Sequence, residues 1–150
     1  MSNRKPRLNR ADFRLFRPIP TRWHDNDVFG HVNNVVYYSW FDTAVCAWLV
    51  ENGHLDITGS DIVGLVVETT CTYFDSTAFP ETIEAGLAVE RLGTSSVTYR
   101  LGIFRTGSEQ AAAQGLFTHV YVERESQRPV PIPDRIRAAL CALSSSDGPG

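Results

Sequence analysis

The clearest hydrophobic pattern in this chain is a long apolar segment at residues 35–50, in which Asp42 is the one charged residue. Its large apolar side chains recur at helical spacing and also fill the neighbouring face. A helix that is apolar on nearly all faces belongs inside a protein. Asn33 or Asn34 is suited to cap the helix start, and Gly53 is suited to end it in the left-handed conformation. The pattern therefore predicts a buried helix.

The length of this segment, ~18 residues, is close to that of a membrane span. Asp42 and the Thr, Ser and Tyr hydroxyls within the segment argue against a span. We therefore expect a core helix and no membrane-spanning segment.

Strand patterns surround the helix. Four runs rich in Val, Thr, Ile and aromatic residues follow it, separated by turn-forming Gly, Pro, Asp and Ser, and they predict strands at residues 62–73, 82–91, 97–105 and 111–123. A further strand is predicted at residues 13–23, where Pro18 and Pro20 restrict it to a sheet edge or a late start. A short helix is predicted from Asp134 to about Leu143.

A long buried helix followed by an antiparallel meander has few solutions. The sheet must curl around the helix to cover its apolar faces, so the pattern predicts an α+β fold. A length of 150 residues suits one domain spanning residues 1–150, with flexible tails expected at 1–12 and 144–150.

The amino-acid composition narrows the class of protein to which the chain can belong. With 43% hydrophobic and 21% charged residues the chain has the composition of a soluble globular protein, and a net charge of -3 gives no electrostatic case for a nucleic-acid partner. The three cysteines, Cys46, Cys71 and Cys141, are widely spaced and predict reduced core thiols rather than a disulfide framework. No apolar signal segment follows the N-terminus, so we expect a cytoplasmic protein.

A carboxylate-rich loop containing Asp25 and Asp27 leads directly into the start of the predicted helix. The first turn of a helix has unpaired N–H groups and a partial positive charge, which can hold an oxygen that becomes anionic during a reaction. A carboxylate beside such amides suits acyl transfer. The same residue types also form ordinary caps and turns, so the local pattern allows both interpretations.

A family resemblance favours the functional interpretation. Residues 22–34, Arg-Trp-His-Asp-Asn-Asp-Val-Phe-Gly-His-Val-Asn-Asn, followed by Tyr37-Tyr38 and Phe41-Asp42, resemble the signature of the 4-hydroxybenzoyl-CoA thioesterase family of hotdog-fold proteins. Segments 91–97 and 128–133 resemble the family in the same order. The resemblance implies a hotdog fold, an antiparallel sheet wrapped around a long central helix. It also implies a homodimer or homotetramer with the active site at a subunit interface.

The resemblance also assigns roles in the loop. Asp27 falls at the family's catalytic carboxylate, which acts as general base on water or as nucleophile on the thioester carbonyl. The backbone N–H near Asn34 falls where the family polarises the thioester oxygen. Gly30 lets the backbone turn tightly, and His31 is expected to hydrogen-bond backbone in the turn.

Further candidates concern substrate binding. Arg91, Thr94, Ser95 and Ser96 lie at a turn that in relatives is close to the pantetheine or nucleotide, although they also suit an ordinary hairpin turn. Arginine suits phosphate because its guanidinium binds in a bidentate manner. Glu68 would act as an acid if it were buried; the alternatives are a position in water at the strand edge or a pair with an arginine. Tyr37, with its aromatic neighbours, permits a medium aliphatic or an aromatic acyl group.

His24 and His31 beside Asp25 and Asp27 also raise the possibility of a zinc or iron site. We favour no metal, because one loop would supply every ligand. Asp25 is expected to orient the loop or bind Arg22.

The sequence therefore predicts an acyl-CoA thioesterase that acts on an acyl-CoA or acyl-carrier thioester and needs no metal or redox cofactor. Two alternatives stay open, a non-catalytic acyl-thioester binding module and a hydroxyacyl-thioester dehydratase. The acyl group, the carrier and the pathway are left undetermined.

Overall fold

The computed structural model describes residues 6–144. In this part of the chain an antiparallel sheet of six strands wraps around one long helix. The strands are β1 Leu15–Pro20, β2 Ile62–Thr69, β3 Thr72–Tyr73, β4 Thr82–Leu92, β5 Ser96–Arg105 and β6 Ala113–Glu123, and the helices are α1 Val36–Glu51 and α2 Asp134–Ala142. Single turns of 3-10 helix at Arg10–Asp12 and Trp23–Asp25 flank β1.

The sheet has the strand order β1-β4-β5-β6-β2, and β3 also pairs with β6. The predicted strand at residues 62–73 is thus divided into β2 and β3, and the Thr70 backbone N–H donates to the Leu116 carbonyl oxygen between them. β1 lies at a sheet edge, as Pro18 and Pro20 predict. A proline has no backbone N–H to donate, and the outer side of an edge strand needs no donor.

The core lies between α1 and the inner face of the sheet. Alternating residues of β4 and β5 form that face, as their spacing predicts: Ile83, Ala85, Leu87, Val89, Val97, Tyr99, Leu101 and Ile103 are all buried. The helix contributes Tyr37, Trp40, Phe41, Ala44, Val45, Trp48 and Leu49.

Burial of α1 is less complete than its apolar sequence predicts. Asp42 is exposed, and Tyr38 and Cys46, one turn away on either side, are half-buried. These three residues define an open flank of the helix. A single curled sheet covers one side of a helix only, which is the physical reason for the difference.

The ends of α1 follow the predicted chemistry. The Asn33 side-chain oxygen accepts a hydrogen bond from the Val35 N–H at 3.0 Å, so Asn33 rather than Asn34 supplies the side-chain contact at the helix start. Gly53 follows the helix with a φ of 72°, the left-handed conformation that a glycine adopts at low cost.

The N-terminal segment differs from the expected tail. Residues 6–12 lie against the sheet: the Leu8 N–H donates to Gln114 Oε1 at 2.7 Å, and Arg10 forms an ion pair with Glu84 at 2.7 Å. Phe13 continues this contact on the outer face of the sheet, where it packs edge-on against Phe104. The rest of the predicted tails, residues 1–5 and 145–150, lies outside the described residues.

Between residues 6 and 144, neither helix is long and apolar enough to cross a membrane. Cys46 and Cys71 are half-buried free thiols, and burial raises the pKa of each to about 11. Cys141 is a free thiol too but is exposed, which corrects the expectation that it lies in the core.

Candidate active site

The loop between β1 and α1 is held in place by Asp25, which is only 1% exposed. Its carboxylate accepts hydrogen bonds from the Arg22 backbone N–H at 2.8 Å and from the Arg22 guanidinium at 2.7 and 3.0 Å. Burial favours a higher pKa for Asp25, but the hydrogen bonds and charge of Arg22 outweigh it, and the pKa lies below its usual value. The expected binding of Asp25 to Arg22 is therefore confirmed.

Asp27 has a different environment although it is only two residues away. It is half-buried, and one of its carboxylate oxygens accepts a hydrogen bond from the Phe29 N–H at 2.9 Å. Its other oxygen has no hydrogen-bond partner or ion pair within residues 6–144. Asp27 thus keeps one carboxylate oxygen available for a ligand.

The turn that carries Asp27 is closed by main-chain bonds. The Asp27 N–H donates to the His31 carbonyl oxygen at 2.9 Å, and the Gly30 N–H donates to the Asp27 carbonyl oxygen at 3.0 Å. Gly30 has a φ of 79°, so a glycine is favoured there, as predicted. His31 itself is exposed and contributes its carbonyl to the turn.

The start of α1 offers a free backbone donor. The Val35 and Val36 N–H groups are both occupied by Asn33, at 3.0 and 2.9 Å. No acceptor in the described part of the chain receives the Asn34 N–H. The Tyr73 hydroxyl donates to the Asn34 carbonyl oxygen at 2.8 Å and so holds the next peptide, between Asn34 and Val35. The free N–H lies at the positive end of the helix, where it can stabilise negative charge on an oxygen.

Asp27 and Asn34 line the same cleft, which has a volume of about 290 Å³. The other lining residues are Val32, Tyr37, Tyr73, Phe74, Asp75 and Ser76. The Tyr37 hydroxyl is hydrogen-bonded to Thr77 Oγ1 at 2.7 Å, and burial raises the pKa of Tyr37, so this wall is uncharged. The structure therefore brings the predicted Asp27, Asn34 and Tyr37 together.

Tyr73 was not predicted as a site residue. It reaches the cleft because β3 pairs with β6, Tyr73 opposite Ala113, and because its ring packs edge-on against Tyr37 with centroids 5.0 Å apart. No motif in the sequence marks it, since its position depends on strand pairing.

Other predicted residues lie elsewhere in the chain. Arg91, Thr94, Ser95 and Ser96 are at the β4–β5 turn, where Ser96 pairs with Val120 of β6, whereas the cleft lies near Ala113. Val120 and Ala113 are seven positions apart along β6, on the order of 23 Å. The turn is anchored by Arg137, which donates to the carbonyl oxygens of Gly93 at 2.6 Å and Thr94 at 2.9 Å.

Glu68 also lies outside the cleft. It is exposed on β2, next to an irregularity in the pairing between Val66 and Glu68, and it is opposite Thr118. Glu68 therefore lies in water on an edge strand and is not a buried acid.

Comparison with known protein families shows to which superfamily this chain is related. The thioesterase-like superfamily matches residues 21–140, from the start of the Asp27 loop to α2. This chain belongs to the thioesterase-like superfamily. A comparison with curated proteins found no match.

Solved structures agree with this membership. The PA5185 protein of Pseudomonas aeruginosa strain PAO1 is 57% identical, with a TM-score of 0.91 over 94% of this chain and 99% of that one. The PA2801 protein of Pseudomonas aeruginosa, a proposed thioesterase, is 30% identical, with a TM-score of 0.77 over 90% of this chain and 99% of that one. Slr0204, a 1,4-dihydroxy-2-naphthoyl-CoA thioesterase from Synechocystis, is 19% identical, with a TM-score of 0.76 over 85% and 96%.

At that identity Slr0204 shows a shared fold alone. Together the matches confirm the resemblance to hotdog-fold thioesterases and the predicted α+β hotdog fold. The superfamily membership supports a thioesterase activity for this member.

Proposed function

We propose that this protein hydrolyses acyl-CoA thioesters to a carboxylic acid and free CoA, with Asp27 as the reacting carboxylate. The observation that carries the proposal is the placement of a free Asp27 oxygen and the free Asn34 N–H on one cleft. A carbonyl placed between them meets a base or nucleophile on one side and an oxyanion donor on the other.

The proposed hydrolysis has two possible routes, one with Asp27 as general base and one with Asp27 as nucleophile. As a general base, Asp27 takes a proton from water while the water oxygen attacks the thioester carbon, and the proton then passes to the leaving thiolate. As a nucleophile, Asp27 forms a mixed anhydride and releases the thiolate. Water then cleaves the anhydride, which regenerates the Asp27 carboxylate and supplies the proton that the thiolate takes up. In both routes the Asn34 N–H stabilises the oxygen that becomes negative. Neither route uses a metal or a redox cofactor.

A homodimer, with a tetramer as a further assembly, is part of the proposal. Among residues 6–144 the one strand neighbour of β2 is β6, and Leu65, Val66 and Val67 on this edge strand are exposed at 37, 48 and 59%. An apolar edge with unpaired backbone groups favours pairing with another strand. Pairing of two β2 edges would extend the sheet and cover the open flank of α1.

This assembly would also complete the substrate site. Antiparallel pairing of two β2 strands places the Ile62 end of one beside the Thr69 end of the other. This pairing brings the β4–β5 turn of the partner subunit to the side of the Thr69 end, which is the end of β2 that leads to the Asp27 cleft. Arg91 is exposed at this turn and is the cation that we propose for the CoA phosphates.

The decisive experiment replaces Asp27 with Asn and measures free thiol released from a panel of acyl-CoAs. We expect activity to fall by roughly 10²- to 10⁴-fold with the fold retained, because an amide cannot accept the proton or attack the carbonyl. Asp75→Asn is the matched control, since Asp75 lines the same cleft but forms an ion pair with Arg7. Equal activity of Asp27→Asn and the wild type would exclude Asp27 as the reacting group.

A further inference from the structure

The direction of the Asn34 N–H depends on how the peptides on either side of Asn34 are held. On one side the Asn33 carbonyl oxygen, which belongs to the same peptide as the Asn34 N–H, accepts the Val36 N–H at 2.9 Å. On the other side the Asn34 carbonyl oxygen accepts the Tyr37 N–H at 3.3 Å and the Tyr73 hydroxyl at 2.8 Å. The contact with Tyr73 is the shortest of the three, and it joins the helix start to a strand.

Contacts within the first turn of α1 hold it only weakly. The N–H groups of a first turn have no partners inside the helix, and helix ends fray. Val35, at the N-cap position, makes no side-chain capping hydrogen bond and is 65% exposed, so its side chain adds little packing. A hydrogen bond from another element of the fold therefore restrains this turn in a way that the turn itself does not.

Tyr73 is held in place by its own surroundings. β3 pairs with β6, with Tyr73 opposite Ala113, and the next residue continues this contact, since the Phe74 N–H donates to the Ala112 carbonyl oxygen at 2.8 Å. The Tyr73 ring packs edge-on against the Tyr37 ring, with centroids 5.0 Å apart, a favoured geometry for aromatic pairs. The sheet and the core thus fix the point from which the Tyr73 hydroxyl donates.

The Tyr73 hydroxyl keeps its proton. Burial raises the pKa of Tyr73, and the neighbouring Cys71 and Tyr38 side chains raise it further. A phenol donates a hydrogen bond to a carbonyl oxygen, whereas a phenolate cannot. The contact with Asn34 is therefore present at any pH at which Tyr73 stays in its neutral form.

The segment from Tyr73 to Phe79 also holds the loop that carries the reacting carboxylate. The Thr77 carbonyl oxygen accepts the Val32 N–H at 2.8 Å, and the Phe79 N–H donates to Asn26 Oδ1 at 3.0 Å. Asn26 and Val32 lie on either side of that carboxylate in the chain. One segment therefore contacts both walls of the cleft, and Tyr73 makes its contact with the helix start.

We propose that Tyr73 is a positioning residue for thioester hydrolysis, whose hydroxyl holds the Asn34–Val35 peptide so that the Asn34 N–H points at the oxygen that becomes negative. The inference rests on the proposed thioesterase function. An oxyanion donor contributes most when its direction is fixed before the reaction, because no reorientation is then needed in the transition state. Tyr73 acts through Asn34 and does not itself touch the reacting atoms.

The first test is the steady-state kinetics of Tyr73→Phe, which removes the hydroxyl and keeps the ring. We expect kcat to fall by about tenfold with KM within about twofold of the wild type, because the lost restraint matters mainly in the transition state. Removal of an oxyanion donor itself costs more, roughly 10²- to 10³-fold. An unchanged kcat, or a raised KM with kcat unchanged, would overturn the proposal.

Tyr37→Phe is the matched variant, because it makes the same chemical change in the same cleft but its hydroxyl is hydrogen-bonded to Thr77. Urea unfolding of both variants measures their stability. After Tyr73→Phe the Asn34 carbonyl oxygen still accepts the Tyr37 N–H, so we expect the larger stability loss in Tyr37→Phe and the larger kcat loss in Tyr73→Phe. If one variant has both larger losses, kcat follows general loosening of the fold and the positioning role is refuted.

The pH dependence of kcat separates positioning from proton transfer. Since Tyr73 stays protonated, we expect Tyr73→Phe to lower kcat by the same factor at each pH and to leave the shape of the profile unchanged. Loss of one limb of the profile in this variant would show that Tyr73 transfers a proton, which contradicts a positioning role.

An infrared measurement observes the proposed contact without turnover. Octanoyl-CoA and benzoyl-CoA, each with an isotope-labelled thioester carbonyl, are bound to the Asp27→Asn protein. A fixed hydrogen bond to the carbonyl oxygen gives a narrow band at lowered stretching frequency. Adding Tyr73→Phe is expected to broaden this band and move it to higher frequency, while adding Tyr37→Phe leaves it in place. A band that Tyr73→Phe leaves unchanged would refute the role of Tyr73.

The kinetic and infrared measurements together separate this inference from the proposed activity. A band that responds to Tyr73→Phe, in a protein whose wild type releases no thiol from any acyl-CoA, would refute the hydrolase and retain Tyr73 as the residue that positions the Asn34 N–H. Thiol release by the wild type, with kcat and the band unaffected by Tyr73→Phe, would refute the role of Tyr73 alone.

Discussion

Polar groups at the two ends of α1 differ in their hydrogen-bond partners and in how deeply they are buried. At the start, Asp25 is saturated by Arg22 and the Tyr37 hydroxyl by Thr77, whereas an Asp27 oxygen and the Asn34 N–H have no partner among residues 6–144 and lie beside an open cleft. At the other end the unpaired atoms are buried, among them Nδ1 of His119 and Nδ1 of His54.

A free polar group next to water costs little, whereas a buried one costs its desolvation. The start of the helix therefore holds reacting groups in position at low cost. The far end retains unpaired polar atoms at a cost in stability.

After the loss of activity expected for Asp27→Asn, the largest expected effect that distinguishes the ends is on stability against pH. The pKa of His119 is about 4 in the folded chain and about 6.5 when unfolded, so the unfolded state binds more protons between those values. Stability is then unaffected above pH 6.5 and falls as pH decreases towards 4. We expect a loss of about 2 kcal/mol between pH 7.5 and pH 5, measured by urea unfolding.

His119→Phe should remove this loss, while the lowered pKa of His54 leaves a smaller one of the same sign. Asp25 acts in a different range. Its folded pKa is lowered, so its contribution is present above its unfolded pKa, near 3.8, and disappears at more acidic pH. If His119→Phe loses as much stability as the wild type by pH 5, the imidazole is not buried in its neutral form.

The next largest effect comes from the same chemical change made at each end, the loss of one tyrosine hydroxyl. Tyr37→Phe leaves the Thr77 hydroxyl buried at 1% exposure without its partner, and we expect a loss of about 1–3 kcal/mol in the free energy of unfolding. The Tyr121 hydroxyl has only the equally buried Tyr99 hydroxyl beside it among residues 6–144, so we expect Tyr121→Phe to cost less stability than Tyr37→Phe. Equal losses in the two variants would mean that the Tyr121 hydroxyl is as well hydrogen-bonded as that of Tyr37.

The smallest effect concerns the turn at the far end of the sheet. Arg91→Ala should raise KM for acyl-CoA by about two- to fivefold with kcat unchanged, because an exposed cation contributes about 0.2–1 kcal/mol. Steady-state kinetics with an acyl-pantetheine, which lacks the nucleotide, provides the control. The variant and the wild type should then have the same KM, and a difference that persists with this substrate would argue against a phosphate contact.

Much of the fold follows from local patterns. Alternation in β4 and β5 identifies their buried faces because side chains in a strand alternate between the two sides of a sheet. The prolines of β1 indicate an edge, and Gly53 marks the end of α1. The contacts of residues 6–12 were missed because their polar sequence does not show that Gln114, more than a hundred residues later, supplies the acceptor.

The loop of the candidate site could also be predicted from the sequence, because Asp25, Asp27, Gly30 and Asn33 lie within nine residues and their contacts are local. The role of Tyr73 could not be predicted from the sequence, since Tyr73 reaches Asn34 through the pairing of β3 with β6.

The sequence by itself determined the apolar helix, the alternating strands and the loop chemistry before the helix, all of which depend on residues that are close in the chain. The tertiary structure alone decided which polar groups are left without partners. His119 and His54 look like ordinary strand and loop residues until Gly64 is packed against His119 and Trp48 of α1 against His54. Hydrogen-bond satisfaction depends on what surrounds a group in space, and residues distant in sequence supply those surroundings.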